Sequence, residues 1–136
     1  KEWYQLRQEA YEWLRKGSWD LRLDLWPSFA PHITVLAARA SHRHAARIER
    51  RVWRWDLDSP KFANPVERLR HPLIDLTPTC EQTAVETTDS VIERLCAGFL
   101  GNCPRELPPS TIAIDGTRCV VELRWGSRGV TVSWSL

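Results

Sequence analysis

Residues 18–26 read Ser-Trp-Asp-Leu-Arg-Leu-Asp-Leu-Trp, an alternation that puts Trp19, Leu21, Leu23 and Leu25 on one side and Asp20, Arg22 and Asp24 on the other. A helix repeats its faces every ~3.6 residues, so a period of two predicts a half-buried strand. Such a strand needs neighbours for its N–H and C=O groups and a layer over its apolar side. The flanking sequence offers both.

Before it, Trp3, Leu6, Ala10, Trp13 and Leu14 recur at spacings of three and four, and Gly17 follows as a stop, which predicts an amphipathic helix over residues 2–16. After it, Pro27 and Pro31 bracket a connection, and residues 32–38 read as a second strand, antiparallel to the first. A polar, His-containing turn is expected over residues 40–46. A third strand is expected from Arg47 to Leu57, where Trp53, Trp55 and Leu57 alternate with Arg54, Asp56 and Asp58.

Asn64-Pro65 followed by Glu67 has the chemistry of a helix start, and Pro72 keeps that helix short. Five Thr between residues 76 and 88 favour extended or irregular backbone. Ser90 and Glu93 form a capping-box pair ahead of the stripe Val91, Ile92, Leu95, Cys96 and Phe99, with Gly101 and Pro104 ending the helix. Thr111 to Ile114, the Asp115-Gly116 turn and Arg118 to Trp125 predict a hairpin, and Val130, Val132 and Trp134 a further strand after a Gly126–Gly129 turn. The expectation is one α+β domain over residues 1–136: a mainly antiparallel sheet of about six strands, with the N-terminal helix and a second helix packed on one face.

Composition narrows the function classes. With 43% hydrophobic and 26% charged residues the 136-residue chain fits neither disordered, collagen-like nor membrane-spanning classes, and no apolar run nears the ~18 residues of a spanning helix. A formal charge of +2 does not by itself announce a nucleic-acid or membrane-surface protein. Sixteen Arg against three Lys point to a GC-rich coding sequence and a bacterial source. No Met occurs, even at position 1, so a trimmed or processed form is expected; the location is read as cytoplasmic, or periplasmic or secreted if a leader was removed. Cys80, Cys96, Cys103 and Cys119 contain no C-x-x-C pair and are read as free thiols, though three pairings are open to them.

Candidate sites are few. Arg39 to Arg54 holds six Arg and one Glu, beside His42 and His44, while residues 72–98 hold five acids and one Arg. The basic segment suits an anionic partner, with Arg43, Arg47 and Arg50 as contact residues. Tyr4 and Tyr11, seven apart on the first helix and off its Trp/Leu stripe, add a second contact surface. The His42-x-His44 pair has a spacing that can hold a transition metal. No nucleophile elbow, zinc-protease helix motif or phosphate loop is present, and no catalytic residue or cofactor is expected.

Residues 114–134, IDGTRCVVELRWGSRGVTVSW, with Asp115-Gly116-Thr117 entering a strand and Trp134 near the end, resemble the terminal hairpin of small bacterial proteins, some of them similar to immunity or accessory proteins of toxin systems. The resemblance implies a protein partner and no chemistry. The leading expectation is therefore a macromolecule-binding protein, an immunity-type inhibitor or accessory factor acting by protein–protein recognition. Two alternatives stand beside it: a metal-dependent or hydrolytic enzyme using His42 and His44 with a distant acid or His32, and a nucleic-acid-binding module using the Arg39 to Arg54 segment.

Overall fold

The alternating segment is a strand, β1 (Leu21–Pro27), and it lies inside a sheet. The computed structural model describes residues 2–40, 44–70, 76–102, 117–125 and 128–135. It contains α1 (Trp3–Arg15), β2 (His32–Arg39), β3 (Ala45–Trp53), α2 (Trp55–Ala63), α3 (Pro65–Arg70), β4 (Cys80–Thr88), α4 (Asp89–Asn102), β5 (Thr117–Trp125) and β6 (Arg128–Ser135). The strands form one six-stranded sheet in the order β4-β3-β2-β1-β5-β6, with every neighbouring pair antiparallel. The α+β class and the antiparallel sheet thus agree with expectation. The expected strand over Thr111 to Ile114, the Asp115-Gly116 turn and His42 lie outside the described residues.

The placement of the helices differs from expectation, because they cover opposite faces. Leu21, Ala37, Ala46, Val121 and Leu123 point to one side, where Ile92 and Cys96 of α4 complete a core. One residue along, the pleat turns Trp26 and Trp53 to the other side, where they pack on Ala10 and Leu14 of α1. Each indole removes about 150–250 Å² from water, worth about 4–6 kcal/mol at ~25 cal/mol per Å². That gain is large enough to hold α1 over a sheet face whose remaining positions are largely polar.

Arg51 fastens the end of α1. Its Nη1 donates to the carbonyls of Trp13 at 2.9 Å and Lys16 at 2.7 Å, supplying a cation and two donors to the negative end of the helix. Gly17 follows with φ +104, a backbone region that a side chain would strain, and turns the chain toward β1.

The third strand ends earlier than its alternation implied. β3 stops at Trp53, and Trp55 and Leu57 belong to α2. Pro60 could not have donated to a strand ladder, and Asp56 and Asp58 in the first turn suit the positive end of a helix. The Trp53, Trp55, Leu57 spacing fits a strand, but a separation of four residues also returns to one face of a helix. The Asn64 cap behaves as expected, its Oδ1 accepting the Val66 N–H at 2.9 Å. Helix α4 starts at Asp89, so Ser90 lies within its first turn, and the Ser90 hydroxyl meets that of Thr88 at 2.9 Å.

Candidate anion-recognition site

Under the second half of α1, the sheet carries charge. Arg22 and Asp24, assigned by the sequence pattern to the polar side of β1, are 8% and 4% exposed, whereas Leu25 on the apolar side is 45% exposed. Cross-strand register builds the cluster: Asp24 faces Thr34, Arg22 faces Glu122 and Trp26 faces Arg118. The Trp26 indole Nε1 donates to Thr34 Oγ1 at 3.1 Å, and that hydroxyl donates to Asp24 Oδ1 at 2.8 Å. Arg22 Nε lies 3.3 Å from Asp24 Oδ2 without hydrogen-bond alignment, and Arg22 Nη2 reaches Glu122 Oε2 at 3.2 Å. Arg124 Nε donates to the other Glu122 oxygen at 3.1 Å.

Two further guanidinium groups converge on this chain. Arg15, in the last turn of α1, sits 4.8 Å from the Trp26 ring centre, and Arg118 of β5 sits 5.7 Å from it. Both are within cation–π range. Among the described residues neither has a carboxylate partner, and the buried Arg15 Nε has no acceptor. The cluster therefore holds four guanidinium groups, from Arg15, Arg22, Arg118 and Arg124, against the carboxylates of Asp24 and Glu122.

The electrostatics carry the same asymmetry. Burial pushes the Arg15 guanidinium below its ordinary pKa, and repulsion from Arg22 and Arg118 adds to this against the pull of Asp24 and Glu122. Burial raises the Asp24 carboxyl, while the Thr34 hydrogen bond and the charges of Arg22, Arg15 and Arg118 oppose that rise. An anion reaching Arg15 and Arg118 would offset their repulsion and could give Arg15 Nε an acceptor. Arg118 is exposed and Arg15 half-buried, so the cluster opens at one side.

The contact residues expected from sequence are dispersed. Tyr4 is 68% exposed, but Tyr11 stacks on Trp26 at 4.7 Å and on His32 at 5.7 Å, inside the α1 core. Arg47 and Arg50 are both exposed but differ by three residues on one strand, which places them on opposite faces; Arg43 lies outside the described residues. The basic segment largely satisfies itself. Arg39 pairs with Asp20, Arg47 with Glu49, Arg51 with Glu49, and Arg54 with Asp56 and Glu81.

His44 is exposed, has φ 53, and its Nδ1 lies 3.1 Å from Asp89 Oδ2. His32 sits at the far end of β2, seven strand steps before Arg39, or about 23 Å at ~3.3 Å per residue, so the two histidines do not share a centre. Among the described residues no three His, Cys, Asp or Glu side chains gather as metal ligands. Cys80, Cys96 and Cys119 are free thiols, and burial raises all three, with Asp58 helping to push Cys80 up to about 11. No described helix is long and apolar enough to cross a membrane.

Comparison with family models, with curated proteins and with solved structures finds no match to this chain.

Sequence reasoning missed Arg15, Arg22, Arg118 and Trp26 because alternation assigned the polar side of β1 to solvent. One signal was present. Trp26 shares parity with Arg22 and Asp24, and an indole on a nominally polar face asks for a covering layer.

Proposed function

We propose that this protein is a binding module that recognises an acidic group on a protein partner through Arg15 and Arg118, both held against the Trp26 ring. The observation carrying this reading is the convergence of two guanidinium groups on one indole, neither of them in a salt bridge among the described residues. Arg anchors held against aromatic rings are the kind of group that concentrates interface energy. A carboxylate suits the site better than a nucleic-acid strand. Trp26 is buried and offers no face for a base to stack on, and Asp24 and Glu122 would repel a run of phosphates. An immunity-type inhibitor or accessory factor is the specific form of this reading that the C-terminal hairpin supports, and a toxin gene beside this one would be its check.

Calorimetric titration with a hexaglutamate peptide and, separately, with a thymidine hexanucleotide tests the site. The peptide is expected to bind more tightly than the nucleotide, and its affinity to fall as salt is raised. Arg118→Glu should weaken peptide binding tenfold or more, since one charge-assisted hydrogen bond is worth about 1.5–3 kcal/mol. Equal binding by the variant, or preference for the nucleotide, overturns the reading.

A further inference from the structure

Among the described residues no strand pairs with the outer margin of the sheet at β4. Its nine residues pair with β3 in unbroken register from Cys80 to Thr88, with no bulge. Residues 81 to 86 are exposed without interruption, so both faces of the strand as well as its outer edge meet solvent. The bonds that flank the ladder set its parity. Arg54 N–H donates to the Thr79 carbonyl at one end and Asp89 N–H to the His44 carbonyl at the other, so the odd-numbered residues of β4 turn their amides toward β3. Cys80, Gln82, Ala84, Glu86 and Thr88 turn theirs outward, and among the described residues nothing meets them.

Protein sheets ordinarily protect such an edge with Lys, Pro, a bulge or a covering element. β4 has no Lys, Arg or Pro, and six of its nine residues are Thr, Val, Ala or Gln. We infer that β4 pairs antiparallel with β4 of a second copy of this chain, in full overlap about a two-fold axis at Ala84, joining two six-stranded sheets into one. Full overlap sets the facing residues: Ala84 meets its twin, Thr83 meets Val85, Gln82 meets Glu86, Glu81 meets Thr87 and Cys80 meets Thr88. No carboxylate faces a carboxylate. The Gln82 amide can donate to Glu86 of the other copy, and Glu81 is already held by Arg54 at 3.2 Å. Val85, 64% exposed, gains a β-branched neighbour in Thr83 of the second copy.

The strand therefore meets its own copy with no carboxylate opposite a carboxylate, and the pairing closes on itself. The opposite margin, β6, is a second edge, and pairing of β4 with β6 would run head to tail and give open chains instead of a dimer.

Analytical ultracentrifugation and cysteine cross-linking of the full chain test the inference. The wild type is expected to show a concentration-dependent monomer–dimer equilibrium without larger species. Ala84→Cys should give a disulfide-linked dimer on mild oxidation, because antiparallel hydrogen-bonded partners place Cα atoms about 5.5 Å apart, within disulfide reach. Gln82→Cys, whose thiol would face Glu86 and not its twin, should stay monomeric on a non-reducing gel, as should the wild type. Val85→Lys keeps every bond to β3 and places two cations beside the axis; it should weaken dimerisation at least tenfold with an unchanged circular-dichroism spectrum. A wild type monomeric at all concentrations, equal cross-linking by both cysteine variants, or open oligomers would each overturn the inference.

Discussion

Replacing Asp58 with Ala is expected to lower the unfolding free energy by about 3–5 kcal/mol, the range for removing one partner from a buried charged network. Asp58 is 1% exposed and joins three elements. Its Oδ2 accepts the Trp53 indole N–H at 2.8 Å and the Thr79 backbone N–H at 2.8 Å, its Oδ1 accepts the Thr79 hydroxyl at 2.6 Å, and Lys61 Nζ lies 3.5 Å away. Truncation strands the Trp53 and Thr79 donors at the point where β3 ends, α2 begins and the chain enters β4. Asp58→Asn separates loss of charge from loss of shape. Its amide oxygen can take the position of Oδ2 and its NH₂ can donate to the Thr79 hydroxyl, so a cost of about 1–2 kcal/mol is expected. Urea denaturation of the three proteins measures both numbers. An Asp58→Ala cost below about 1 kcal/mol would show that the network does not hold the β3–α2 junction.

The same residue shows how far the sequence could be read. Period two identified β1, and the stripe of Trp3, Leu6, Ala10 and Leu14 identified α1, because each pattern recurs often enough to select one backbone geometry. Asp58 gave no such signal. In the alternating reading it was one more polar residue facing water, and its role depends on Thr79, 21 positions away. The anion site was illegible for a related reason. Arg15, Arg22 and Arg118 come from α1, β1 and β5, and only the β1–β5 pairing, which joins the first part of the chain to its last, brings them together. The basic segment from Arg39 to Arg54 was conspicuous because it is local, yet local charge on a strand is split between two faces by the pleat and is neutralised by neighbours such as Glu49 and Asp56.

Stability should also fall as the solution is acidified from pH 7 to pH 4, and His32 should account for about 3 kcal/mol of the loss. The imidazole is 5% exposed, stacks against Tyr11 and Trp26, and meets the Trp53 ring edge-on at 5.1 Å. Burial lowers its pKa from 6.5 to about 4; the Nε2 bond to the Pro27 carbonyl at 2.7 Å opposes that shift, and the charge of Arg7 adds to it. In the unfolded chain the ring takes its proton near pH 6.5, while in the folded chain it stays neutral until about pH 4. The contribution of neutral His32 is therefore complete above the unfolded value and is lost as pH falls toward the folded one. Asp24 works in the opposite direction. Its raised pKa means that the folded state takes up a proton before the unfolded state does, which adds stability on acidification and masks part of the His32 effect.

His32→Phe separates the two, since it keeps an aromatic ring in the stack and removes the titrating group. The variant should lose about 1 kcal/mol at pH 7 with the Pro27 hydrogen bond, and the gap between the two proteins should then close and reverse toward pH 4. Parallel stability curves for wild type and His32→Phe would show that the ring does not titrate in this range. The consequence reaches the anion site, because Trp26, which stacks with both Tyr11 and His32, also carries Arg15 and Arg118. A protonated His32 adds a cation near Arg7 and against the ring that presents the two guanidinium groups, so that stack is expected to loosen as His32 takes its proton.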